Sequence, residues 1–215
     1  MRSEEVRLRG YRDTDFAQML AITLDVWGYY DYLPPQTAVA TATHFLSKHL
    51  ATAGFALVAE QDGRIAGFIL GEMEPLRVRR IRYWFRKIAA LPAIYATRHG
   101  AHQFREYRNT QVLNRRLLKQ AGGHFDAALS LFAVRADMQG KGVGSALFGA
   151  FQEYLRENGA ERYYLFTDSS SSYLFYEKRG LARAAGEVYP WKSFHRGVPD
   201  YPETYFVYVG KLPRK

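Results

Sequence analysis

From Val6 to Tyr11 apolar and basic residues alternate, a period-two pattern that predicts a short strand. Asp13 or Thr14 then caps a helix whose apolar positions, Phe16, Met19, Leu20, Leu24 and Trp27, recur at helical spacing. Gly28 ends it, and a tyrosine-rich loop follows with Tyr29, Tyr30, Tyr32, Pro34 and Pro35. A second helix is predicted over Gln36 to Leu50, with Val39, Ala42, Leu46 and Leu50 on one face. Phe55 to Glu60 and Arg64 to Glu72 read as a hairpin around Asp62-Gly63. The regular alternation stops at residue 75 and resumes at Ala127, where Ala127 to Val134 is a nearly continuous apolar run. Such a run marks a central strand covered on both faces. A helix from Gly142 to Asn158 follows, carrying Val143, Ala146, Leu147, Ala150, Phe151, Tyr154 and Leu155 at helical spacing. Arg162 to Thr167 is a further strand, Ser170 to Arg179 a short helix ended by Gly180, and Tyr205 to Leu212 a last strand. The strand–helix–strand unit over 127–167 is expected to cross over right-handedly, which makes the sheet partly parallel and the chain mixed α/β.

Residues 75–125 read as a helical insertion. Ile81, Trp84, Phe85, Ile88 and Leu91 fall on one face of a first helix, Arg79, Arg82 and Arg86 on the other, and Pro92 ends it. A second helix is predicted over Gln103 to Gln120, stopped by Gly122-Gly123. Charge singles out the same stretch: residues 76–125 hold ten Arg and two Lys against Glu106 alone, whereas the other residues are close to neutral and the whole chain is +9. Either this is a solvated face or it meets an anionic partner.

Composition narrows the chemistry. The 215 residues hold enough apolar material, 47%, to fill a core. The absence of Cys excludes disulfides, thiolate metal sites and a cysteine nucleophile. His99-x-x-His102 has no further ligand at metal spacing and reads as surface, so no metal is expected. No apolar run approaches the ~20 residues of a membrane span. The charged start Met1-Arg2-Ser3-Glu4-Glu5 lacks a signal-peptide core. A cytoplasmic protein is the expectation, organised as one domain over 1–215 with the insertion at about 75–125.

The segment Gln139-Gly140-Lys141-Gly142-Val143-Gly144-Ser145 stands between the buried strand and the long helix. Its glycines let backbone approach a ligand, and the helix N-terminus behind them offers free amides and a favourable dipole to a phosphate. Neither the Walker spacing nor the G-x-G-x-x-G fingerprint is met, because Ser145 stands where the third glycine is required. By itself such a loop is also compatible with a plain strand-to-helix turn.

Gln139-x-x-Gly142-x-Gly144 resembles the acetyl-CoA loop of the GCN5-related N-acetyltransferases. Phe175-Tyr176-Glu177-Lys178-Arg179-Gly180-Leu181 resembles that family's Phe-Tyr-x-x-x-Gly-Phe segment, with Leu181 in place of Phe. The resemblance covers residues 6–74 by layout and 127–185 by motif. It implies a mixed central sheet with splayed parallel central strands flanked by helices, and acetyl transfer from acetyl-CoA to a primary amine of a small molecule or peptide within a ternary complex. It implies that the amides of Gln139, Gly140, Lys141, Gly142, Val143, Gly144 and Ser145 hold the pyrophosphate, and that the backbone of Phe132, Ala133 and Val134 pairs with the pantetheine arm. Tyr176 falls where relatives carry an acid for the departing thiolate. Ser169 or Ser172 falls where relatives place an Asn on the cofactor arm; Ser172 is carried forward. For the base, Glu72 is favoured over Glu74, His124 and Asp126, all at strand ends. The acceptor is expected between the tyrosine loop, the insertion and Val188 to Tyr201, a stretch with Trp191, Phe194 and His195. Two other readings remain: a non-catalytic module that binds CoA or another anion, and a nucleic-acid or membrane-surface binder acting through the insertion. Nucleic acid and membrane are not the expected partners; a homodimer through the insertion is one role considered for it.

Overall fold

The structure, a computed structural model, describes residues 6–75, 77, 80–194 and 200–213. The strands β1 (Arg7–Gly10), β2 (Phe55–Gln61), β3 (Arg64–Met73), β4 (Ala127–Val134), β5 (Arg162–Asp168), β6 (Ala182–Trp191) and β7 (Tyr201–Lys211) form one sheet. Its order is β1-β2-β3-β4-β5-β7-β6, antiparallel everywhere except between β4 and β5. This is the expected mixed sheet with splayed parallel central strands.

Alternate residues of β3 serve opposite faces, as the two-residue period of a strand requires. Phe68 and Leu70 pack with Met19 of α1 (Phe16–Val26) and with Leu46 and Leu50 of α3 (Pro35–Thr52). Ile69 packs with Leu147, Phe151 and Leu155 of α7 (Val143–Glu157) on the other side. These side chains are nearly or fully buried, and each stabilises the fold by roughly 1.5–3 kcal/mol. The helical turn α2 (Tyr29–Tyr32) interrupts the tyrosine loop, and Tyr29 is buried against Leu24, Leu33 and Ala38.

The insertion holds α4 (Ile81–Ala89), α5 (Leu91–Tyr95) and α6 (Arg98–Ala121). Its first helix keeps Trp84 of the expected apolar face against the core and leaves Arg82 and Arg86 exposed as expected, but the residue it buries most deeply lies off that face. Ile81 and Phe85 are each 60% exposed, whereas Tyr83, from between them, is buried. The Tyr83 ring stacks on Phe16 with centroids 5.7 Å apart, and its hydroxyl donates to Asp13 Oδ1 at 2.9 Å. Arg86 lies 4.3 Å over the Phe16 ring and Arg82 pairs with Asp13. Arginine stems and cation–π contacts thus seal this helix to α1, a mode that counting apolar residues overlooks. Arg79 lies outside the described residues.

Helix α6 begins earlier than expected, at Arg98, because Thr97 Oγ1 accepts from Gly100 N–H at 3.0 Å. Leu113 and Leu117 pack on Val207 and Val209 of β7, and the buried Glu106 accepts from Tyr189 OH of β6 at 2.8 Å. Helix α6 is therefore laid across the far end of the sheet, whereas α4 and α5 stay against α3.

Three further elements differ from the pattern. Strand β6 is the largest omission: its polar and small residues, Arg183, Ala185, Gly186 and Glu187, leave no apolar alternation. Strand β7 starts at Tyr201 rather than Tyr205, extended by pairing with β6. The expected helix over Ser170 to Arg179 shrinks to α8 (Leu174–Glu177), because Asp168 Oδ1 accepts from the N–H groups of Ser170 and Ser171 at 3.1 and 3.0 Å and holds a turn there.

Candidate active site at the split in the sheet

Strands β4 and β5 pair only through Ala127–Tyr163, Ala128–Tyr164 and Leu129–Leu165. Beyond Leu129 they diverge, while β4 stays paired with β3 as far as Val134 and β5 with β7 as far as Asp168. A register shift at Leu70/Gly71, opposite Ser130, marks the point of divergence. From Ser130 to Val134 one edge of β4 thus carries backbone groups with no strand beside them, in the middle of a sheet. Phe132, Ala133 and Val134 all lie on this stretch. The Phe132 ring sits 5.5 Å from Phe175.

The glycine loop opens at the same end. Gly140 and Gly142 hold φ of +73° and +84°, a conformation that side-chain-bearing residues adopt at a cost, and no atom lies within 4 Å of where a Cβ would stand at either. Space and backbone are therefore both reserved. Helix α7 starts immediately after Gly142, with no side-chain cap, and the first intrahelical bond is that from Ala146 N–H to Gly142 at 3.0 Å. The amides of Val143, Gly144 and Ser145 stand ahead of it, free for an anion. Gln139 Nε2 donates to Val134 O at 3.2 Å, joining the loop to the strand. Arg179, which the sequence reading did not single out, adds a fixed cation: its guanidinium donates to Ser145 Oγ at 2.5 Å and lies 3.5 Å over the Phe175 ring. The signal was its place four residues after Phe175. These features fit a nucleotide pyrophosphate and an extended amide-bearing arm.

One cavity of about 500 Å³ passes through the split. On the side of α8 it reaches Tyr176 and Ser171; its floor is Leu129 to Phe132 and Leu165 to Asp168; across the sheet it opens between α2, α3, α6 and the start of β7. Tyr176 is held by rings at Phe175, Tyr208 and Phe148, 5.4, 5.9 and 6.1 Å away. Burial pushes its hydroxyl up from the usual tyrosine value, with Asp168 adding to the effect. Ser172 does not line this cavity; with Leu174, Lys178 and Arg179 it lines a second one of about 360 Å³. Ser169 is used otherwise, its Oγ accepting from Thr204 N–H of β7 at 3.0 Å.

Glu72 is buried one layer behind the cavity wall. Thr52 Oγ1 donates to its Oε1 at 2.5 Å, and His49 Nδ1 is 4.0 Å from the same oxygen. Burial raises the carboxyl above its ordinary value against the hydrogen bond from Thr52. His49 does line the cavity, and burial, aided by Lys48 and His44, keeps its imidazole well below the ordinary histidine value. Of the other carboxylate candidates, Asp126 is committed to the fold: its Oδ2 accepts from Arg162 and Glu161 N–H at 2.9 Å each. Glu203 of β7, which no motif marked, lines the cavity, and its Oε2 accepts from Trp191 Nε1 at 2.7 Å and Tyr205 OH at 2.9 Å. His99 and His102 flank the Phe194 ring, 3.7 and 5.6 Å from it. His195 lies outside the described residues. Among the described residues no cluster of three or more His, Asp and Glu could hold a metal, and no helix is long and apolar enough to cross a membrane.

The fold and this site are those of an acyltransferase class, on the strength of a family match. Residues 19–181 match the model of the acetyltransferase (GNAT) family. The chain belongs to that family, whose members use acetyl-CoA as cosubstrate. The match runs through the insertion, which the sequence motifs alone had left uncovered. Among solved structures the fold is similar to an N-acetyltransferase from Staphylococcus aureus Mu50, at TM-score 0.56 and 16% identity, covering 98% of this chain and 100% of that one. It is also similar to the ribosomal-protein-alanine N-acetyltransferase from Brucella melitensis (0.55, 14%, 96% and 99%) and the ribosomal-protein-S18-alanine N-acetyltransferase from Escherichia coli (0.52, 11%, 98% and 96%). At such identities the likeness is one of fold. No curated protein matches the chain.

Proposed function

We propose that the protein transfers an acetyl group from acetyl-CoA to a primary amine, directly, with both substrates bound at once. The observation that carries this reading is the single cavity through the sheet, which touches Tyr176 and the unpaired edge of β4 on one side and the α3–α6 walls on the other. An amine can thus meet a thioester without either leaving the protein. Acetyl-CoA supplies the activated acyl group.

The chain's own residues would act as follows. The amides of residues 139–145, with Arg179, hold the diphosphate. Phe132, Ala133 and Val134 orient the arm by backbone pairing, and Ser172 stands beside its path. An ammonium must lose a proton before it can attack. His49 faces the cavity in its neutral form, and Glu72 behind it supports the charge that His49 takes on. Glu72 then works through His49 rather than on the amine itself. Tyr176 OH, protonated at neutral pH, donates to the departing thiolate. With no Cys in the chain, no cysteinyl acyl-enzyme forms.

The test is calorimetric titration of the wild-type chain and Gly142→Glu with acetyl-CoA, followed by CoA release on adding amines. Binding that is lost in the variant, with CoA released only when an amine is present, is the expected result. Binding without release from any amine would leave a CoA-binding module. No binding by a folded chain would refute the reading.

A further inference from the structure

Resting on the acetyl-transfer reading, we infer that the acceptor is a cationic amine with an aromatic or otherwise apolar body and no anionic group. The chain carries +9, yet the described residues lining the cavity include no Lys or Arg. Its charged lining is Asp168 and Glu203. Among the described residues the cavity surface thus carries negative charge only, with the Lys48 ammonium held behind it on Tyr107 OH and Gln111 Oε1, and an acceptor carboxylate or phosphate would meet two repelling groups there.

The walls state what the site is built for. Tyr32, 41% exposed, and Tyr201, 55% exposed, stand at the mouth from opposite sides. Trp191 stacks on Tyr201 with planes 7° apart and centroids 6.1 Å apart, and directs its ring N–H to Glu203. Rings with a carboxylate among them attract an ammonium by their π-faces and by charge together. Glu203 Oε1 takes no hydrogen bond among the described residues, so a lone oxygen remains for an incoming cation.

The buried end adds an independent observation. Asn114 of α6 is 7% exposed and lines the cavity, and its Oδ1 is buried without a hydrogen-bond partner. A buried acceptor left unmade costs roughly 1–3 kcal/mol. The oxygen has almost no surface open to the cavity as the side chain stands, so an N–H donor removes that cost once the Asn114 amide turns toward it, and an amine brings one. Lys48 does not supply it, because its ammonium is bound to Tyr107 OH and Gln111 Oε1 at 2.9 Å each. A cation is thus drawn in past Glu203, its apolar body is packed by rings, and an N–H is received at Asn114.

The probe is 2-phenylethylamine, set against phenylalanine, which adds a carboxylate, and 3-phenylpropionate, which lacks the amine. Trp27 and Trp191 line the cavity, so intrinsic fluorescence reads occupancy without turnover. The expected result is saturable quenching by 2-phenylethylamine, at least tenfold weaker response to both other compounds, and a five- to tenfold loss of 2-phenylethylamine affinity in Glu203→Gln with the melting temperature kept. Asn114→Leu is expected to weaken the amine similarly while leaving acetyl-CoA binding unchanged. Equal or tighter binding of phenylalanine, or no saturable response to 2-phenylethylamine, overturns the inference. Acetyl-CoA titration on the same sample separates the two claims. If acetyl-CoA binds and other amines release CoA while 2-phenylethylamine is ignored, the acceptor class is wrong and acetyl transfer stands. If 2-phenylethylamine binds and acetyl-CoA does not, the cavity is as inferred and acetyl transfer falls.

Discussion

Replacing Tyr176 by Phe removes one oxygen and leaves the ring among Phe148, Phe175 and Tyr208. The hydroxyl makes no hydrogen bond among the described residues, so its loss should change stability by less than about 1 kcal/mol. A hydroxyl that donates to a leaving thiolate is worth far more in rate. General-acid catalysis contributes roughly 10²–10⁴-fold, and at about 1.4 kcal/mol per decade that is some 3–5 kcal/mol of barrier. The assay follows CoA thiol release with a chromogenic disulfide, which the protein itself does not consume because it has no Cys. Burial holds the phenol above its ordinary value, so it keeps its proton through neutral pH, and the loss of kcat should be the same from pH 6.5 to 8.5. Acetyl-CoA affinity and melting temperature should match wild type. A Tyr176→Phe enzyme with kcat within threefold of wild type would refute the role.

Further outcomes follow from the same geometry. Gly142→Ala forces a side chain to φ near +84° and should cost about 1–2 kcal/mol of stability along with tenfold or more in acetyl-CoA affinity, read by calorimetry. Gly100→Val should raise the acceptor KM while leaving acetyl-CoA binding alone. A Cβ at residue 100 would clash with the Ile94 carbonyl and lie 2.6 Å from Thr37 Cγ2, lifting α6 off α3, at roughly 1–3 kcal/mol in chemical denaturation. Asp126→Asn should destabilise by about 1 kcal/mol at pH 7. Backbone hydrogen bonds from Arg162 and Glu161 lower the Asp126 carboxyl, so the stability it adds is present above the unfolded value and lost as pH falls through the folded one; the gap between the melting curves should close in acid. For Glu72 the sign reverses. Burial raises its carboxyl, so ionisation costs the fold as pH rises through that value, and Glu72→Gln should compare better with wild type in melting temperature at pH 7.5 than at pH 4, while kcat falls.

The parts legible in the sequence were those with a local signature. The apolar run Ala127 to Val134, the helix after it and the glycine loop between them announce themselves by period and spacing. The split in the sheet was reachable only through the family resemblance, because strand divergence depends on which partners β4 and β5 find elsewhere. Tyr83, Glu203 and Asn114 were not legible. Tyr83 is buried by arginine stems that a polarity pattern scores as exposed. Glu203 sits on a strand whose start is set by pairing with β6, itself without apolar alternation. Asn114 becomes informative only when its oxygen is seen to lack a partner. Glu72 was legible as a strand-end acid, but its position behind His49 was not, since the two meet through the packing of α3 on β3.

The connection between β3 and β4 has a mechanical consequence. By chain order α6 belongs with β1 to β4, yet its side chains are seated on β6 and β7, on the other side of the split. The sheet's two halves are stitched by three residue pairs; on one face the core under α7 spans both halves, and on the other α6 is the strap that bridges them. Cutting that strap would leave α7 alone to couple the half-sheets, across one face, so removal of residues 76–125 should lower the melting temperature and broaden the transition. The arginine-rich segment then has a structural duty that its charge gives no hint of: it lets a sheet remain open at its centre without coming apart.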